Sequence, residues 1–277
     1  MEHKQLVMEL IRQKKELSAI DTQFIEPILD DYIEKNNALW KKITSHPKIE
    51  KSRELKILVK EIRKKLREVY GAFTINLNKR NKLLDELEFL VGSNSEHEKI
   101  VELHKKILMT HRSTRERLSY YEEIYKKIFS ITGKPEHILD VGSGLNPLAM
   151  EFVDIKDVKY TAIELTDEDC SFLNRYFKIM QIDGTAIKMN LLVENKFYKA
   201  DVCFMFKILD SLETIKRNVS KELISSIDAK FIVVSFPKET LSGKPLSTKR
   251  LAWFKRLVNI HNEFEVQNEL FYIIKNK

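Results

Sequence analysis

The densest chemistry in the chain lies in His137–Met150, HILDVGSGLNPLAM. β-Favouring residues run into Asp140, a Gly142-Ser143-Gly144 turn follows, and Asn146-Pro147 open a new apolar run. That order predicts a buried strand, a tight turn and a helix start. Glycine admits a sharp turn and lets the backbone approach a ligand where a Cβ would collide. Asn146 suits a helix N-cap, and Pro147 suits the first helical turn, where its missing N–H is not needed. Such a unit sets a small-molecule site at the carboxyl end of the strand. A dinucleotide fingerprint wants a third glycine where Pro147 stands, which disfavours NAD. S-adenosylmethionine suits a G-x-G turn with an acidic residue about 20 positions on equally well. Glu164 has that spacing and can accept hydrogen bonds from ribose hydroxyls. Taken alone, the turn also fits a purely structural strand-to-helix connection.

The elements that must position these residues alternate. Strands are expected at His137–Val141, Lys159–Leu165, Thr185–Met189, Asp201–Phe206 and Lys230–Phe236, with a closing hairpin of Glu263–Val266 and Leu270–Lys275. Five β-α units and a hairpin give an α/β fold: a seven-stranded, Rossmann-like and mostly parallel sheet with helices on both faces. That is the layout of class I S-adenosylmethionine-dependent methyltransferases. The first 110 residues look almost wholly helical, so residues 1–110 are expected to form a helical domain and 111–277 the α/β domain. Leu6, Leu10 and Ile11 mark a first helix, and Phe24, Ile28, Leu29 and Ile33 a second. In a third, Leu55, Leu58, Val59, Ile62, Leu66 and Val69 make one apolar stripe at helical spacing. Further helices are expected over about Leu77–Val91 and Glu96–Met109. The S-x-x-E pattern at Ser113–Glu116 reads as a capping box opening a helix to about Phe129.

Composition narrows the class. The chain has 277 residues, 43% of them hydrophobic, and a formal net charge of +7, which favours an anionic partner. Cys170 and Cys203 are the two cysteines; with no CxxC and no His at ligand spacing, neither zinc nor a disulfide framework is expected. No run approaches the roughly 18 apolar residues of a membrane span, so a cytoplasmic protein is expected, with a monomer as the default. Between Lys41 and Lys82 stand fourteen Lys or Arg against four acids, a balance of +10 that exceeds that of the whole chain. Arg53, Lys56, Lys60, Arg63, Lys64 and Arg67 follow a series rotated away from the apolar stripe. They read as a surface that docks on RNA phosphates, which supply affinity rather than base reading.

Three blocks then point to a family: HRSTRERL (His111–Leu118), ILDVGSGLNPLA (Ile138–Ala149) and VSFPKETLSGK (Val234–Lys244), with FKILDSLE (Phe206–Glu213) between the last two. The chain resembles the 16S rRNA (guanine-N7) methyltransferases of the Arm/Rmt/Kgm aminoglycoside-resistance group. The resemblance implies S-adenosylmethionine as methyl donor and a guanine in the decoding region of the small ribosomal subunit as target. It places Gly142 and Gly144, within the turn from Asp140 through Ser143 to Asn146, beside the methionine part of the donor. It assigns Glu164 to the ribose, Arg117 to the donor's carboxylate and Asn190 to the adenine amino group. Ser143 stands where the family often has Cys or Ala, Glu164 where it has Asp, and Asn190 where it has an acid. Two alternatives stay open here: a methyltransferase for another rRNA or tRNA base, and a non-catalytic S-adenosylmethionine- or ribosome-binding protein.

Guanine N7 carries a lone pair and no proton, so its methylation needs alignment and water exclusion rather than a general base. After the fourth strand the chain has neither Pro-Cys nor Asn-Pro-Pro-Tyr; it has Phe206-Lys207-Ile208-Leu209. Lys207 is the candidate for guanine O6 or a backbone phosphate, and Phe206 or Phe236 for a stacking face; core packing is the plain alternative for both rings. The stretch Ser235–Arg250, with Lys238, Lys244, Lys249 and Arg250, reads as a loop closing on RNA.

Overall fold

In the computed structural model, residues 2–71, 77–153, 155, 157–240 and 243–276 are described. The chain divides into two compact units, Met1–Thr74 and Ile75–Lys277.

The first unit is helical: α1 (Glu2–Arg12), α2 (Thr22–Lys35), α3 (Asn37–Thr44) and α4 (Arg53–Leu66). Ser52 caps α4 by accepting from the Leu55 N–H at 3.2 Å. Leu55, Leu58, Val59, Ile62 and Leu66 are buried, as their spacing demands. They face the same interior as Val7 and Ile11 of α1 and Phe24, Ile25, Ile28 and Leu29 of α2. The expected stripe stops one turn early, because past Leu66 the backbone widens into a π-turn over Arg67–Gly71 and leaves Val69 half-buried.

The second unit opens with α5 (Leu77–Gly92), α6 (His97–Leu108), α7 (Arg112–Arg117) and α8 (Tyr121–Thr132). Its sheet is built from β1 (His137–Val141), β2 (Lys159–Glu164), β3 (Gly184–Lys188), β4 (Ala200–Phe206), β5 (Ala229–Pro237), β6 (Ile260–Val266) and β7 (Glu269–Lys275). Helices α9 (Asp167–Ile179), α10 (Leu209–Glu213), α11 (Val219–Ser226) and α12 (Ala252–Leu257) complete it. Among the described residues, the seven strands run in the order β3-β2-β1-β4-β5-β7-β6. The first five are parallel, and β7 joins β5 antiparallel. The strand order reverses at β1, between β2 and β4, and open α/β sheets place their ligands at the strand carboxyl ends of such a switch.

Three local expectations are corrected. The boundary falls at Thr74/Ile75 rather than at residue 110, because Leu83, Leu84 and Leu87 of α5 and Leu103 and Ile107 of α6 belong to the core of the sheet unit. The glycine turn leads into a 3-10 helix, Asn146–Phe152, and Asn146 does not cap it. Ser113 opens no capping box: its hydroxyl lies 3.1 Å from His111 Nδ1, and α7 ends at Arg117 before α8 begins at Tyr121.

Candidate functional site

Gly142 and Gly144 both take left-handed backbone, φ 70° and 56°. A Cβ on Gly142 would sit 2.1 Å from Ile208 Cδ1, and one on Gly144 2.8 Å from His111 Cε1. Glycine is therefore required by the protein's own neighbours, Ile208 after β4 and His111 ahead of α7. Burial pushes the His111 imidazole down to about 4, so it is neutral at physiological pH.

Glu164 ends β2 and folds under this turn. Its carboxylate accepts from the Gly144 N–H, from Ser143 Oγ at 3.2 Å and from the Leu165 N–H at 3.3 Å. Burial, aided by the charge of Asp169, still raises it to about 8. Three hydrogen bonds to the charged form do not offset that burial, and each further donor would lower the pKa again. The two hydroxyls of a ribose are such donors. Glu164 lies against the turn at the carboxyl end of β2, the place expected of it, and its carboxylate has the chemistry to accept from a sugar.

Asp140 and Asn146 lie deeper than expected. Asp140 Oδ2 accepts from Tyr160 Oη at 2.5 Å and from Asn146 Nδ2 at 2.8 Å, and both residues are buried. Burial raises the Asp140 carboxyl to about 6. Asp140 Oδ1 and Asn146 Oδ1 have no partner. These acceptors suit a donor such as an ammonium or a water. Asn190 is half-buried after β3; its Oδ1 accepts from the Leu192 N–H at 3.1 Å, which orders the loop beyond the β3 end.

The six-residue α7 links the turn to a second feature. His111 at its head abuts Gly144, and Arg117 at its foot borders a cavity of about 240 Å³. Glu116, Lys207, Pro237, Glu239 and Glu269 also line it. Arg117 is 3% exposed and grips Glu269 with two nitrogens, Nε at 2.9 Å from Oε2 and Nη2 at 2.8 Å from Oε1. Such a bidentate pair is geometrically specific. Lys207 Nζ lies 3.1 Å from the same Glu269 and 2.9 Å from Glu116 Oε2. Ser235 Oγ donates to Glu269 as well. Burial alone would raise Glu269, but the Arg117 and Lys207 charges outweigh it and hold the carboxyl below its ordinary value. Lys207 reaches this point because its own backbone is left-handed, φ 57°, and its N–H is anchored on the Ser235 carbonyl at 3.1 Å. Glu269 was not foreseen; the only hint in the sequence is an acid at the head of the apolar strand ELFYIIK.

Several expected roles change. Phe236 is 0% exposed, wedged edge-on against Phe254 with ring centroids 4.8 Å apart, and offers no free face. Phe206 is buried too, stacked on Phe204 at 4.9 Å and covered by the Arg117 guanidinium at 4.9 Å. Both rings are core, which removes them as base-stacking platforms. Of the basic series on α4, Arg53, Lys56, Lys60 and Lys64 are exposed. Arg63 is turned inward: it caps the end of α1 through the Leu10 and Ile11 carbonyls. Arg67 pairs with Glu16, Nη2 to Oε1 at 2.6 Å. In the loop after β5, Lys244 and Lys249 are exposed, whereas Lys238 pairs with Glu265 and Arg250 with Asp210. Leu241 and Ser242 of that loop lie outside the described residues. No helix among the described residues is long and apolar enough to cross a membrane, and no His/Cys/Asp/Glu group among them could hold a metal ion.

Residues 50–258 match the family described as ribosomal RNA methyltransferase (FmrO). A 16S rRNA (guanine(1405)-N(7))-methyltransferase of Micromonospora rosea is 28% identical over 231 residues, 78% of this chain and 81% of that protein. A protein of the same description from Proteus mirabilis is 27% identical over 238 residues, 79% of this chain and 84% of its own. The same fold occurs in the crystal structure of the 16S rRNA methyltransferase RmtF in complex with S-adenosyl-L-homocysteine. The TM-score is 0.79 at 21% identity, covering 99% of this chain and 98% of that one.

Proposed function

The chain belongs to the FmrO family of ribosomal RNA methyltransferases, and from that premise we propose that it methylates N7 of a guanine in the decoding region of small-subunit rRNA. We place it in the cytoplasm, acting as a monomer on the assembled subunit.

S-adenosylmethionine, when bound, supplies an electrophilic methyl group on a sulfonium. Glu164 would hold its ribose, with Ser143 and Gly144 fixing the carboxylate through their hydrogen bonds. Asn190, after β3, borders the adenine side. Arg117 and Lys207 bring the two cations to a cavity also lined by Glu116, Glu239 and Glu269, where a guanidinium would suit the donor's carboxylate and an ammonium a guanine O6. Because Arg117 is already gripped by Glu269, its first role is to fix Glu269 and, through it, Lys207.

The relatives described as 16S rRNA (guanine(1405)-N(7))-methyltransferases carry the N7 reading, and one observation supports it: both carboxylates within reach of Lys207, Glu116 and Glu269, are engaged in ion pairs, so neither stands beside it as a free proton acceptor. A base with a proton to lose would need one; guanine N7 does not. Positioning and exclusion of water then supply the acceleration. The exposed Arg53, Lys56, Lys60 and Lys64, with Lys244 and Lys249, supply phosphate contacts that set orientation.

The test is labelling of purified small subunits with tritiated S-adenosylmethionine, followed by borohydride/aniline cleavage. Cleavage at one guanine is expected. Label without cleavage would move the target to another atom, and no label on intact subunits would favour a non-catalytic binder. Lys207→Ala should slow single-turnover methylation at least tenfold with cofactor affinity retained; an unchanged rate removes Lys207 from the site.

A further inference from the structure

Arg80 is one of the most buried charges in the second unit. It lies on α5, in the stretch whose sequence reads as part of the basic helical region. Its Nη1 is 2.7 Å from Asp169 Oδ1, and the two side chains are 3% and 10% exposed. The guanidinium lies over the Phe172 ring at 4.5 Å. Its Nε and Nη2 are buried without hydrogen-bond partners. Such an arrangement is a poor way to stabilise a core: a buried ion pair seldom outdoes well-packed apolar side chains, and unpaired buried donors make it worse.

The position explains what the pair is for. Asp169 is the third residue of α9, and Thr166 caps that helix: its hydroxyl donates to Asp169 Oδ2 at 2.6 Å and accepts from the Asp169 N–H at 3.2 Å. Leu165 alone separates Thr166 from Glu164. Two buried carboxylates, Glu164 and Asp169, therefore sit about one turn of chain apart. Like charges so placed resist joint ionisation unless a cation stands by. Among the described residues, Cys170 of α9 lies near Glu164, with Asp167 near that thiol, and Lys188 stands opposite Glu164 on β3; the neutral His111 lies near Asp169 and Arg80. Lys188 is already bound to Asp167 at 2.5 Å. Arg80 is the buried cation beside Asp169.

We propose that Arg80 is a positioning residue of the cofactor site: by pairing with Asp169 it offsets that residue's charge and lets the neighbouring Glu164 ionise when a ribose binds, the form that accepts both hydroxyls. This rests on the reading of Glu164 given above. It also means that the cofactor edge is completed by α5, ahead of the motif-bearing part of the chain.

The experiment measures S-adenosyl-L-homocysteine affinity by calorimetry between pH 6 and 9 for the full chain, Arg80→Lys, Arg80→Met, Asp169→Asn and the Arg80→Met/Asp169→Asn double variant. Arg80→Met should bind at least tenfold more weakly at pH 7, with its pH limb moved upward by a unit or more. Removing the second charge in the double variant should bring the limb back to wild type or below, and Arg80→Lys should stay near wild type. A limb unmoved in Arg80→Met, or a double variant as impaired as Arg80→Met, overturns the proposal; the second result would mark a purely structural role. Carboxyl NMR titration of Glu164 in the unliganded proteins separates the two ideas. A midpoint raised by Arg80→Met while wild type ignores the ligand would sink the cofactor reading and keep the electrostatic link. An unmoved midpoint would sink the link itself.

Discussion

Glu164 should make cofactor binding pH-dependent in a way that can be worked out beforehand. With its carboxyl at about 8 in the unliganded protein, only about one molecule in ten carries the carboxylate at pH 7. If the ribose requires that form, the apparent affinity there is about tenfold below its limit, a deficit of about 1.4 kcal/mol. The affinity should rise about tenfold per unit from pH 6 to 7, bend near pH 8 and then level off. Binding at pH 7 should also release close to one proton (about 0.9), because the hydroxyl donors pull the bound carboxyl back toward its ordinary range. Calorimetry with S-adenosyl-L-homocysteine in buffers of unlike ionisation enthalpy reads both quantities, and Glu164→Gln should flatten both. The stability of the unliganded protein follows with the opposite slope. A carboxyl raised on folding contributes stability that is complete below its unfolded pKa, about 4.5, and lost as pH climbs through about 8. Ligand should restore that loss, so the gap between liganded and free Tm should widen from pH 6 to 8.5. Equal affinity at pH 6 and 8.5 with no proton released would falsify the assignment of Glu164 to the ribose.

Four further outcomes follow from the geometry. Glu269→Gln leaves Arg117 and Lys207 facing a neutral amide in a buried place, and should lower the unfolding free energy by about 3–5 kcal/mol in denaturant titration; a loss under about 1 kcal/mol would mean that the cluster is not a clamp. Changing Arg53, Lys56, Lys60 and Lys64 together to Glu should weaken small-subunit binding and flatten its log–log salt slope by about 3 at unchanged Tm. Arg67→Ala should do the reverse, lowering Tm through the lost Glu16 pair with little effect on the slope. Gly142→Ala meets both the left-handed backbone, about 1–2 kcal/mol, and Ile208. The Gly142→Ala/Ile208→Ala pair should recover part of that loss, and strict additivity of the two changes would contradict the close approach.

What could be read in the chain and what could not divide along a physical line. Short apolar, β-branched runs located all seven strands, His137–Val141 to the residue, since a parallel strand covered on both faces is written as a continuous apolar run. The acid-to-turn spacing of Glu164 was legible for the same reason: β1 and β2 are adjacent and in register, so a fixed distance in sequence became a contact. Helical stripes told which residues are buried but not in which core. That is why α5 and α6 were grouped with the basic region although their leucines join the sheet unit. Charges misled in the same way. Arg63 and Arg67 continue the exposed series of α4 by spacing, yet each found an acceptor more than 50 residues away, in the chain from α1 to Glu16. Phe206 and Phe236 end strands near the site, and only the rings packed on them reveal that no face is left. Glu269 and Arg80 were missed for one shared reason. Each is the one charge on a buried face, Arg80 at helical spacing ahead of Leu83, Leu84 and Leu87 and Glu269 at the head of ELFYIIK, matched by a partner 89 or 152 positions distant in the chain. A lone charge at a buried position is costly without such a partner. Where a buried stripe carries one Arg or Glu, the sequence already states that a counter-charge exists, and the topology of the sheet decides which residue provides it.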